Sequence, residues 1–68
     1  MTITEQLRNY HFTERQINNL RSKLNRRGFG FKRIKKIYYV PTRDEFMFVE
    51  DSIYEDILCL SATFARGE

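Results

Sequence analysis

The stretch HFTERQINNLRSKLNRRG, residues 11–28, decides how the chain is read. Thr13 and Gln16 have the spacing of a capping box, in which the hydroxyl accepts from an orphan helix amide and the glutamine reaches back to the cap. Phe12 and Ile17 stand at the two positions of a hydrophobic staple, which sets the angle at which the chain enters the helix. Ile17, Leu20 and Leu24 then recur at i, i+3 and i+7. Arg26 and Arg27 complement the negative helix end, and Gly28 suits the position just beyond it. The pattern predicts a helix over residues 13–27.

At ~100° per residue, with Ile17 at zero, Leu20 and Leu24 place the core direction near ~330°. The opposite side, between roughly 100° and 240°, collects Arg15, Asn18, Asn19, Ser22, Lys23 and Arg26, while Arg21 and Arg27 flank the apolar stripe. A solubilising face usually mixes Glu with Lys at i, i+4. Here the only acid is Glu14, in the first turn, where the helix dipole favours it. Arg can make bidentate contacts to guanine, Asn to adenine, and flanking Lys and Arg suit phosphates. The face therefore points to nucleic acid, against the plainer alternative of a solvated basic surface.

Working outward, Ile3, Leu7 and Tyr10 recur at i, i+4 and i+7, with Thr2 and Glu5 placed for a cap. They predict a short helix over residues 3–10. Beyond the turn GFGF, residues 28–31, β-branched and aromatic residues alternate with cations. Phe31, Arg33, Lys35, Ile37 and Tyr39 would share one face, and Lys32, Ile34, Lys36, Tyr38 and Val40 the other. Pro41 suits the second position of a turn, and FMFVE supplies a return strand, so residues 32–50 read as a β-hairpin. Ser52 with Glu55 has cap spacing, and Ile53, Ile57, Leu60 and Phe64 follow at helical intervals, predicting a third helix over residues 52–65. The expected architecture is one α+β domain over residues 1–68, in the order helix, helix, hairpin, helix.

The net charge of +3 conceals an uneven distribution. Residues 1–36 hold ten cations against two acids, a net of +8, and residues 37–68 hold two cations against seven acids, a net of −5. A basic half suits a polyanion. Cys59 stands alone, which excludes an internal disulfide and a multi-cysteine zinc site and is compatible with the cytoplasm. No leader-like start is seen, and no apolar run approaches the ~18–20 residues that span a bilayer. Catalysis finds little support. His11 has no nucleophile or ligand at useful spacing, and Cys59 falls between apolar Ile57 and Leu60 as a buried structural thiol would. Asp44, Glu45, Glu50 and Asp51 flank a turn and an expected helix start, where acids are ordinary. No catalytic residue, metal, cofactor or small-molecule substrate is expected.

From Ile3 to Leu20 the spacing resembles a helix-turn-helix, with Leu7 packing, Phe12 in the turn, Thr13 opening the recognition helix, and Ile17 and Leu20 packing it back. His11 stands in the turn where that family has Gly, and His can visit positive φ. The hairpin that follows resembles the wing of a winged helix, and FMFVEDSIYEDILCL is similar to the wing-to-helix passage of the MerR/excisionase-like class. The resemblance implies a small phage or plasmid regulator, or an excisionase-type factor, that occupies or bends double-stranded DNA. Lys32, Arg33, Lys35 and Lys36 would then meet backbone or minor groove; equally, they would guard an exposed edge strand with charge. The alternative reading is an inhibitor or adaptor that binds a host protein through its charged surfaces. Self-association is left open.

Overall fold

Thr2 and Thr13 open the first two helices of the computed structural model, which describes residues 2–50 and 56–67. The helices α1 (Ile3–Asn9) and α2 (Glu14–Arg26) are followed by a 3₁₀ turn (Phe31–Arg33) and the strands β1 (Ile34–Val40), β2 (Glu45–Glu50) and β3 (Ile57–Ser61). A five-residue helix, α3 (Ala62–Arg66), closes the order. The amide of Glu5 donates to the Thr2 hydroxyl at 3.2 Å. At α2 the capping box forms in both directions, Gln16 N to Thr13 Oγ1 at 3.2 Å and Thr13 N to Gln16 Oε1 at 2.9 Å. Both staple residues, Phe12 and Ile17, are buried in the core.

The two helices end with the same device. His11 adopts φ 68° after α1, and Gly28 adopts φ 73° after α2. The next amide in each case reaches back five residues, Phe12 N to Leu7 O at 3.1 Å and Phe29 N to Leu24 O at 3.0 Å. The amides of His11 and Gly28 take the adjoining orphan carbonyls, those of Arg8 and Asn25. This is the Schellman arrangement, and in both instances a buried Leu and Phe form its apolar partners. LRNYHF and LNRRGF, residues 7–12 and 24–29, therefore encode one helix stop twice.

The strands form an antiparallel meander in the order β1-β2-β3. Phe46, Phe48 and Leu60 lie on the covered face, and Phe46 and Phe48 are almost wholly buried with Leu7, Ile17, Leu20 and Leu24 in one core. Full burial of each such ring stabilises the fold by about 1.5–3 kcal/mol. The Phe46 ring receives Tyr10 and Phe12 edge-on, both at 5.3 Å. Arg66 lies over Phe12 and Phe46 at 4.6 and 5.4 Å and donates to the Tyr10 carbonyl at 2.8 Å, tying α3 to the end of α1.

Alternation along β1 is broken. Ile34 pairs with Glu50 and Lys36 with Val49, so Lys35 is an extra residue, a β-bulge. The bulge lets Ile34 and Ile37, three apart, both enter the core, where strict alternation had placed them on opposite faces. Gln6 of α1 meets the bulge as a strand would. Its Nε2 donates to the Lys35 carbonyl at 3.2 Å, and its Oε1 accepts from the buried Ile37 amide at 2.9 Å. Tyr10 Oη donates to the Ile37 carbonyl at 3.4 Å. α1 thus covers the outer edge of β1.

The helix expected over residues 52–65 is corrected by β3. Residues 57–61 are extended and pair with β2, Phe46 against Leu60 and Val49 against Ile57, and only Ala62–Arg66 are helical. Ser52, Ile53 and Glu55, which carried the start of that helix, lie outside the described residues. Ile57 and Leu60 fall on opposite faces of a strand, so Ile57 is 57% exposed while Leu60 is buried. Phe64 is 39% exposed rather than buried, and Cys59 is an exposed thiol rather than a core one. The turn behaves as expected at Pro41, with Arg43 N donating to Val40 O at 3.2 Å, and Asp44 at φ 49° completes the reversal.

Candidate nucleic-acid interface

The outer face of α2 is positioned by its buried stripe, Ile17, Leu20 and Leu24. Opposite that stripe Arg15, Asn18, Asn19, Ser22 and Arg26 are all exposed. Ser22 Oγ donates to the Asn18 carbonyl at 3.4 Å, and the side chains of Arg15, Asn18, Asn19 and Arg26 hold no partner among the described residues. Glu14, the one acid of α2, is taken by Arg8 at 2.7 Å. The row therefore presents cations and amides without a competing carboxylate.

The remaining candidates divide. Lys23 and Arg27 turn to the other side of α2, where they lie over the Phe64 ring at 4.6 and 4.7 Å, and Lys23 Nζ donates to the Phe64 carbonyl. They hold α3 in place and stand apart from the outer row. Arg21 covers the Phe31 ring at 4.9 Å. Arg33 pairs through Nε with the buried Glu50 at 3.1 Å. Lys36, 5.8 Å from the Tyr38 ring, belongs to the uncovered face of the sheet. Lys32 and Lys35 are exposed.

Arg21, Lys32, Arg33 and Lys35 meet in a groove of about 850 Å³ between the start of α1, one side of α2 and the 3₁₀ turn leading into β1. Asn25, Thr2 and Thr4 also line it, and no acid among the described residues does. Sequence reasoning passed over these three. Asn25 was assigned to neither face of α2, and its place beside Arg21 is seen only in the groove. The outer row of α2 and the groove adjoin through Asn25 and Arg21, making one cationic tract.

The basic cluster was expected on a wing. It lies instead at the base of β1, beside the groove, while the hairpin tip is tied down by the Ala62 amide donating to the Asp44 carbonyl at 2.9 Å. The hairpin continues into a third strand. The acids weighed for a metal are dispersed. Asp44 accepts from Tyr39 Oη at 2.6 Å, Glu45 pairs with Arg43 at 3.6 Å, Glu50 holds Arg33, and Asp51 lies outside the described residues.

The molecule is thus a small α+β protein, with three helices and a three-stranded antiparallel sheet among the described residues, carrying a cationic tract on its helical side. No family model matches the chain, and no curated protein or solved structure is detectably similar to it. Among the described residues no helix is long and apolar enough to cross a membrane.

Proposed function

We propose that the protein binds double-stranded DNA with the outer face of α2 and acts by occupying or bending its site, as a small regulator or excisionase-type factor does, without catalysis. One observation carries the reading: from Arg15 to Arg26 the helix has no acid, and its exposed row joins Arg15, Asn18, Asn19, Ser22 and Arg26. Asn18 and Asn19 are suited to base edges and Arg15 and Arg26 to guanine or phosphate. Lys32 and Lys35 flank the row and suit the backbone. His11 at φ 68°, in the turn before α2, is in keeping with the helix-turn-helix resemblance.

The test is anisotropy titration of labelled duplexes at two salt concentrations. With about six phosphates engaged, affinity falls roughly a thousandfold between ~50 and ~200 mM salt. Asn18→Ala or Asn19→Ala costs ~1–3 kcal/mol on the preferred site and leaves random DNA nearly unaffected, while Lys35→Ala weakens all sequences alike. Absence of binding at the lower salt overturns the proposal.

A second reading, docking to a host protein, draws on a different surface. The uncovered sheet face sets Tyr38, Met47 and Cys59 in one row and Lys36, Val49 and Ile57 in the next, with Tyr38 45% exposed. Exposed apolar rows of this kind favour protein contacts. The helix expected over residues 52–65 is replaced by β3 over residues 57–61, which carry no charge.

A further inference from the structure

The groove beside α2 has features that docking of a duplex backbone does not require. Its about 850 Å³ lies within the ~300–1,000 Å³ typical of small-molecule sites and far exceeds the needs of one phosphate. Ile3, Phe31 and Ile34 give it an apolar lining, with Phe31 and Ile34 buried beneath and anchored in the core. Arg21, Lys32, Arg33 and Lys35 add cations, and Asn25 adds an amide.

Arg33 is held in a defined pose. Its Nε contacts the Glu50 carboxylate at 3.1 Å, and Glu50 is only 5% exposed. Gly30 has ordinary backbone angles, φ −63° and ψ 118°, so conformation does not require glycine there. Space links it to the arginine instead: a Cβ on Gly30 would stand 2.8 Å from Arg33 Nε, so the guanidinium would have to shift. The arginine lies across Gly30 with its Nε side toward Glu50. Its terminal nitrogens form no hydrogen bond among the described residues, and 61% of the side chain is exposed. A buried carboxylate that fixes a guanidinium by one side leaves the other donors preoriented for an anion.

We propose that this groove binds a nucleoside phosphate. The phosphate is held by the terminal nitrogens of Arg33 with support from Arg21 and Lys35, and the base lies on the apolar lining within reach of Asn25. Glu50 is a positioning residue that acts through Arg33. The ligand comes from one of two sources with the same chemistry, a free nucleotide or the unpaired end nucleotide of a DNA strand. The proposal goes beyond duplex binding and uses none of Arg15, Asn18 or Asn19.

The test is a titration of the isotopically labelled protein, followed by amide shifts, with deoxyadenosine monophosphate, inorganic phosphate and deoxyadenosine. Adenine is chosen because an Asn amide can pair with its edge. The monophosphate is expected to bind at least about tenfold more tightly than either fragment, as joint use of two subsites requires, with shifts centred on residues 30–35, Arg21 and Asn25. Gly30→Ala and Arg33→Ala each remove that advantage. Glu50→Gln separates positioning from bulk charge. It makes the groove more positive, so electrostatics alone predicts tighter binding, whereas loss of the Arg33 pose predicts a loss of about tenfold or more. Circular dichroism verifies the fold of each variant. Equal affinity for the monophosphate and inorganic phosphate overturns the proposal, as do shifts confined to the outer row of α2 or a gain in Glu50→Gln. A duplex with a one-nucleotide overhang, compared with a blunt one, assigns the source. Tighter overhang binding that Gly30→Ala abolishes identifies the strand end, and equal duplex binding identifies the free nucleotide. Blunt-duplex binding rests on the outer row of α2 with Lys32 and Lys35 on the backbone, whereas the preference for the monophosphate over inorganic phosphate and its loss in Gly30→Ala and Glu50→Gln report on the groove, so either reading can fail without the other.

Discussion

Replacing Gln6 by Met tests the contact that joins α1 to the sheet. The substitution keeps most of the side-chain volume and removes the hydrogen bonds to the Lys35 carbonyl and the Ile37 amide. The Ile37 amide is buried and loses its acceptor, at a cost of about 1–3 kcal/mol. The Lys35 carbonyl lies at the bulge, where water can replace the lost donor, so its share is about 0.5–1 kcal/mol. Together they come to about 1.5–4 kcal/mol, against the roughly 3–10 kcal/mol expected for a domain of this length. At ~4–8 °C per kcal/mol the melting midpoint should fall by at least ~6 °C. Urea denaturation followed by circular dichroism gives the loss as a lower midpoint at unchanged slope, and hydrogen exchange gives a matching loss of protection at Ile37. Gln6→Ala should fall further, by the packing that Met preserves. A Gln6→Met protein within ~0.5 kcal/mol of the parent would refute the account of Gln6 as a substitute strand.

His11→Gly should be neutral or stabilising, because glycine meets no penalty at φ 68°, whereas His11→Val should cost ~1–2 kcal/mol by thermal melting. Phe48→Ala, at a fully buried site, should cost ~3–5 kcal/mol and leave the domain largely unfolded. Phe64→Ala should cost no more than ~1 kcal/mol, the scale of its cation–π contacts with Lys23 and Arg27, since its ring is already partly in water. The hydrogen bond to Asp44 raises the Tyr39 phenol above its ordinary value. Its contribution is therefore present below the unfolded pKa, near ~10, and is lost as pH rises through the higher folded value. Ultraviolet titration of the parent against Tyr39→Phe should show the missing transition on that alkaline side.

α2 was legible in the sequence because its cap, staple, apolar stripe and stop all agree, so that local and tertiary preferences coincide at every position from Thr13 to Gly28. The same agreement made Arg15, Asn18, Asn19, Ser22 and Arg26 visible as an exposed row. β3 was hidden because Ile57, Leu60 and Phe64 happen to recur at helical intervals, although the run ILCL, with its β-branched start, also suits a strand. Only its pairing with Phe46 and Phe48 of β2 decides between them. The bulge at Lys35 depends on the Gln6 amide, a partner 29 residues away, which no local pattern contains. Lys23 was assigned to the outer face for the same reason, since its true neighbour, Phe64, had been placed in the core, and Arg27, expected beside the apolar stripe, meets the same ring.

The Gln6 contact also limits how chains can add to one another. α1 occupies the border of the sheet at β1, so among the described residues β3 is the border strand left uncovered, and residues 57–61 carry no charge to deter a neighbour. A sheet with two open borders can recruit subunits without end. With one, two chains meeting border to border use up both and growth stops at a pair. Gln6 thereby blocks strand addition along Lys35–Ile37 of β1, whose outward-facing carbonyl and amide it takes.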